Sequence, residues 1–81
     1  MANEDLKARA HDLDVTVWVG KGGIEPVAEE LRDQLRESDL VKVKFLRASR
    51  GGTTTEELAA DLAEHVDADL VDARGHTAVF H

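Results

Sequence analysis

Cysteine is absent from this 81-residue chain. That excludes disulfides, thiolate metal sites and cysteine nucleophiles, and it fits a reducing compartment. No apolar run approaches the length of a membrane span, which points away from a membrane partner. The start, Met1-Ala2-Asn3-Glu4-Asp5, is acidic where a secretion signal needs a basic stretch and an apolar core, so a cytoplasmic location is the expectation. Proline occurs once, at Pro26, tyrosine not at all, and Trp18 is the sole tryptophan. Basic residues are scarce as well: 10 Lys and Arg face 17 Asp and Glu, for a net charge of -7. Taken as an average, that balance argues against a nucleic-acid partner.

The distribution of charge argues the other way. Residues 40–55 hold Lys42, Lys44, Arg47 and Arg50 and no acid, whereas residues 56–69 hold Glu56, Glu57, Asp61, Glu64, Asp67 and Asp69 and no Lys or Arg. Acids crowd the helical segments, and cations gather on one strand and the loops beside it. This segregation suits a halophile's protein, in which surface carboxylates keep the chain soluble while a functional patch stays basic. It equally suits an acidic domain with solvated helix faces. The length supports one domain, residues 1–81, with a modest core.

Periodicity supplies the elements. Leu6, Ala10 and Leu13 lie on one stripe of a helix over about Asn3 to Asp12. Val15 to Val19 alternates as a strand, with Val15, Val17 and Val19 toward a core and Thr16 and Trp18 away from it. Pro26, tolerated in a first helical turn, opens a helix to about Glu37 striped by Val27, Leu31 and Leu35. Leu40 to Leu46 is a strand with Val41, Val43 and Phe45 inward and Lys42 and Lys44 outward. A loop over Arg47 to Thr53 with a Gly51-Gly52 hinge follows, and the T-x-x-E box of Thr54 and Glu57 starts a helix striped by Leu58, Leu62 and Val66. Two strands, about Asp69 to Ala73 and Thr77 to Phe80, pair antiparallel around Arg74-Gly75-His76. The order α-β-α-β-α-β-β predicts a two-layer α/β (α+β type) fold with helices packed on a mixed four-stranded sheet. If both crossover helices cover one face of that sheet, Trp18, Lys42 and Lys44 share the other.

Gly20-Lys21-Gly22-Gly23, between the first strand and the second helix, is a G-x-x-G loop. Such glycines permit positive φ and close approach of a partner to the main chain. The following helix start offers N–H groups and positive dipole to a phosphate, and KH domains clamp nucleic-acid backbone with the same device. Alone, the motif is more often a plain turn. Together with the helix, Leu40-Val41-Lys42-Val43-Lys44-Phe45 and the terminal Gly75-His76-Thr77-Ala78-Val79-Phe80-His81, it resembles the YhbY-like family, whose unit is also called the CRM domain. That resemblance spans about Leu6 to His81 and implies the fold above and RNA binding without catalysis. Its members are tied to large-ribosomal-subunit precursors in microbes and to intron splicing in plants.

The candidate RNA-binding residues are Gly20, Lys21, Gly22, Gly23, Lys42, Lys44, Arg47, Arg50 and Arg74. The backbone N–H groups and cations would hold phosphates, positioning RNA without reading its bases. Against each stands a plainer role, as a solvated lysine on a sheet edge or a flexible Arg-Gly-Gly loop. Trp18 could stack on an unpaired base, but packing beneath the first helix is the favoured expectation. Asp72, His76 and His81 lack a spacing that makes a metal site, and neither a cofactor nor a catalytic set is expected. The loop is no nucleotide-hydrolysing P-loop, since G-x-x-x-x-G-K-[ST] is missing. Three departures from the family pattern stand out. Glu25 replaces a hydroxyl cap, Asp67 replaces a glycine after the third helix, and His76 replaces a basic residue. A monomer bound to ribosomal RNA or its precursor, with ribosomal proteins as further partners, is the expectation. The alternative is an acidic adaptor that binds a basic ribosomal protein.

Overall fold

The computed structural model describes residues 8–10 and 12–81. Of the first expected helix, residues 8–10 are helical, and bonds from Asp12 N to Arg9 O and from Leu13 N to Ala10 O close its end. Leu6 and the rest of its early part lie outside the described residues. The chain continues through β1 (Val15–Val19), α1 (Glu25–Glu37), β2 (Val41–Phe45), a short 3-10 turn (Arg47–Ser49), α2 (Thr55–Val66), β3 (Leu70–Arg74) and β4 (Thr77–Phe80). This is the two-layer α/β order that the periodicity predicts.

The strands form one mixed sheet in the order β1-β2-β4-β3, with β1 and β2 parallel and β4 antiparallel to both its neighbours. The last strand therefore enters the middle of the sheet. Its run Ala78-Val79-Phe80 is buried throughout, as a central strand covered on both faces requires. The main core lies between one sheet face and both helices: Val17, Val19, Val41, Val43, Phe45, Ala78 and Phe80 meet Ala28 and Leu31 of α1 and Ala59, Leu62, Ala63 and Val66 of α2. On the opposite face Ala10, Leu40 and Val79 form a second, smaller cluster with Leu13 and Val71 against it.

Helix ends follow their local chemistry. Thr54 caps α2 by accepting from Glu57 N at 3.2 Å, and Glu57 Oε2 accepts from the Thr53 hydroxyl at 2.8 Å, so only half of the reciprocal box forms. Asp67 ends α2 in the left-handed conformation, φ 57°, a place where glycine is usual and Asp is tolerated better than most. The β3–β4 hairpin has two loop residues, Gly75 and His76, and Gly75 supplies a positive φ of 54°.

Both edges carry a bulge, and the one in β1 corrects the alternation expected there. Val15 pairs with Lys42 and Val17 with Val43, so one residue is extra on β1. Val15 consequently leaves the buried valine row and is half-exposed. Thr16 turns to α1, where its hydroxyl donates to Gln34 Oε1 at 2.5 Å and its carbonyl accepts from Gln34 Nε2 at 3.3 Å.

Candidate functional site

The topology brings three loops to one end of the sheet. Parallel β1 and β2 both finish there, with the Gly20–Gly23 turn after one and Arg47 to Thr53 after the other. Antiparallel pairing brings the Arg74 to Thr77 hairpin to the same end. Backbone bonds tie the loops to one another: Leu46 N donates to Val19 O at 2.8 Å and Phe45 N to His76 O at 2.7 Å.

The first loop is a tight turn closed by Gly23 N donating to Gly20 O at 3.0 Å. Of its glycines only Gly23 takes a positive φ, 79°, so the freedom that glycine permits is used at one end of the turn alone. Gly22 is small for a different reason, because a Cβ there would sit 3.1 Å from Pro26 Cγ. Ile24 starts α1 without a side-chain cap, and its carbonyl accepts from both Val27 N and Ala28 N. Pro26 has no N–H at all. From Lys21 to Glu25, the main-chain donors without a hydrogen-bond partner among the described residues are therefore those of Lys21, Gly22, Ile24 and Glu25. Two N–H groups of the turn, Lys21 and Gly22, and two at the helix start, Ile24 and Glu25, with the exposed Lys21 ammonium beside them, can receive an anionic oxygen. The exposed Glu25 carboxylate at the same helix start opposes that charge.

The other candidates separate by surroundings. Lys44 is exposed, whereas Lys42 is half-covered and lines a cavity of about 40 Å³ with Ala10, Asp72, Arg74, Thr77 and Val79. Arg47 is exposed and makes no ion pair or side-chain hydrogen bond among the described residues. Arg50 is half-buried, and its Nε donates to Phe45 O at 3.1 Å, pinning the loop to the end of β2. Arg74 is exposed, with Nε 3.2 Å from Asp72 Oδ2. Lys21, Lys44 and Arg47 thus stand open around one end of the sheet, Arg74 is exposed there but paired with Asp72, and Lys42 and Arg50 are partly engaged within the fold.

Trp18 departs from the expected packing: it is 52% exposed and lies on the sheet face away from the helices, beside Lys44. The alternation of β1 placed it with the lysines, but only the position of the N-terminal helical residues shows that nothing described covers it. Ala10 packs with Leu40 and Val79 and borders Lys42, Arg74 and Thr77, over β2, β4 and β3 rather than over β1. No group of acidic and histidine side chains among the described residues is arranged to hold a metal ion.

A strand, glycine turn and helix, with unpaired main-chain donors and exposed cations gathered at one end of a mixed sheet, make up a small two-layer module. The family model for the CRS1 / YhbY (CRM) domain matches residues 2–81, and the chain belongs to that family. It is 44% identical over 71 residues to "Probable RNA-binding protein MJ0652" of Methanocaldococcus jannaschii, an alignment covering 88% of this chain. The chain spans about half the length of that relative, 53%. The fold matches the solution structure of protein SAV1595 of Staphylococcus aureus, described as a candidate RNA-binding protein. The TM-score is 0.78 at 31% identity, over 98% of this chain and 81% of that one.

Proposed function

We propose that this chain binds structured RNA through its sugar–phosphate backbone, as a binding module without catalysis. The carrying observation is the convergence, in a molecule of net charge -7, of the free N–H groups between Lys21 and Glu25 with the exposed cations Lys21, Lys44 and Arg47 and the Asp72-paired Arg74. Family membership and the names of both relatives support the same ligand. Phosphate contacts of this kind position a nucleic acid without reading its sequence, so specificity would come from RNA shape.

The finer proposal is ribosomal RNA, or its precursor, during assembly of the large subunit in the cytoplasm. It rests on the family resemblance alone. Crosslinking in cells followed by sequencing of the attached RNA tests it. Enrichment of large-subunit RNA is the expected result, and a spread over unrelated transcripts would remove the ribosomal assignment. The exposed acids of α1 and α2, among them Glu29, Glu30, Asp33, Asp61 and Glu64, favour a second reading, an adaptor for a basic ribosomal protein. Tight binding of such a protein in the presence of nuclease would support it.

A further inference from the structure

Trp18 is the largest exposed apolar side chain among the described residues, and its surroundings give it a charge-matched partner. Across the sheet it pairs with Lys44, Lys44 with Thr77, and Thr77 with Arg74, in one row on the sheet face opposite α1 and α2. Adjacent strands lie about 4.8 Å apart, so the ring has a lysine as its immediate neighbour and an arginine at roughly 14 Å. One residue separates Trp18 from the Gly20–Gly23 turn with its free N–H groups. An indole costs free energy where it stays in water, and here no aliphatic neighbour in the row covers it. An open aromatic face flanked by cations fits a flat, neutral ring attached to phosphates on either side.

We propose that the row Trp18, Lys44 and Arg74 is a stacking platform for an unpaired base, with Lys44 and the Gly20–Gly23 turn holding the phosphates on either side of it. This rests on the RNA-binding reading and goes beyond it. Backbone recognition alone accepts paired RNA, but a base can lie on Trp18 only where its face is free of a neighbour in a helix. The platform is tolerant of sequence, because every base has a π-face. Its RNA targets therefore contain a loop, bulge or end beside a structured element.

Because Trp18 is the sole tryptophan, its fluorescence reports this site alone. The test titrates the whole protein with two RNAs, a hairpin whose loop is unpaired adenines and a blunt duplex of the same stem. Mobility shift is followed in parallel. Quenching by the hairpin but not by the duplex is expected. Trp18→Ala is expected to lose about 5- to 150-fold in hairpin affinity with duplex affinity unchanged, the range that one stacked base provides. Trp18→Phe should retain most of the binding, and circular dichroism shows whether each variant is folded. Hairpin binding with no change in fluorescence and no loss in Trp18→Ala would overturn the platform while leaving the RNA reading standing. If neither RNA shifts the folded wild-type protein, the RNA reading itself falls and the platform with it. A blue shift that grows with protein concentration in the absence of RNA would assign the face to a second copy of the chain and overturn the proposal.

Discussion

At the scale of single residues, the glycines of the first turn are small for different reasons, and substitutions can tell those reasons apart. Gly23 needs its positive φ and Gly22 avoids Pro26, but a Cβ at Gly20 would meet nothing nearer than Leu46 Cδ1 at 4.0 Å, an ordinary contact. Nothing inside the protein demands glycine at position 20. Gly20→Ala is therefore expected to leave the melting temperature unchanged or slightly raised while RNA affinity falls, because only a partner approaching the main chain would meet the new methyl group. Equal affinity in mobility shifts would show that no partner comes that close. Gly22→Asp with Gly23→Asp should place two carboxylates at the helix start and abolish binding in a chain that still folds. The left-handed Asp and the crowding at Pro26 would cost it on the order of 1–2 kcal/mol of stability. The two lysines of β2 should also separate. Lys44→Ala is expected to lower the salt slope of binding by about 0.7 to 0.9, one phosphate contact, and the half-covered Lys42→Ala by less. Equal slopes for the two variants would deny that difference in access.

At the scale of elements, each helix end and strand position carries a measurable share of stability. The Thr54 hydroxyl is the side-chain cap of α2, so Thr54→Ala should cost about 1 kcal/mol in urea unfolding. Asp67→Gly at the other end removes the strain of a Cβ in the left-handed region and is expected to stabilise by up to about 1 kcal/mol. A loss instead would mean that the Asp67 side chain makes a contact worth more than the strain. The larger effect belongs to β4. Phe80 is fully buried between sheet and helices, and β3 reaches the sheet only through β4. Phe80→Ala is expected to destabilise by about 3–5 kcal/mol, enough to threaten a domain of this size.

At the scale of the whole molecule, the governing fact is opposite charge on opposite regions. The ion pairs among the described residues, Arg9 with Asp39, Arg36 with Asp33 and Arg74 with Asp72, are mostly exposed and hold the fold together only weakly. The unpaired acids of α1 and α2 repel one another over a screening length of about 30 Å at 0.01 M salt, which falls to about 3 Å at 1 M. The melting temperature is therefore expected to climb with KCl. On the proposed RNA-binding reading, counterion release at Lys21 and Lys44 would weaken binding over the same range while main-chain donors would persist under screening, so affinity should fall less than for a basic relative. A KCl series measuring both quantities decides this. A flat or falling melting temperature would remove the high-salt reading of the acidic surface, and a steep collapse of affinity would assign binding to the lysines rather than to the turn.

The amino-acid pattern by itself determined the order of elements, the face of β2 that carries Lys42 and Lys44, and the Thr54 cap. It could do so because alternation, helical period and capping are set by residues within a turn or two of one another. The tertiary structure decided what depends on partners far along the chain. β4 lies between β2 and β3 because its apolar run needs cover on both faces, which only the assembled sheet provides. A bulge at the β1 edge moved Val15 and Thr16 out of the alternation, because register is a property of two strands and not of one. Trp18 is open and Lys42 half-covered because the N-terminal helical residues dock over Val79 and Leu40 rather than over β1. Arg50, indistinguishable by type from Arg47, turns back to the Phe45 carbonyl because the loop fold brings that acceptor within its reach. Local periodicity tells a side chain which face it is on, and long-range packing alone tells it whether that face is covered.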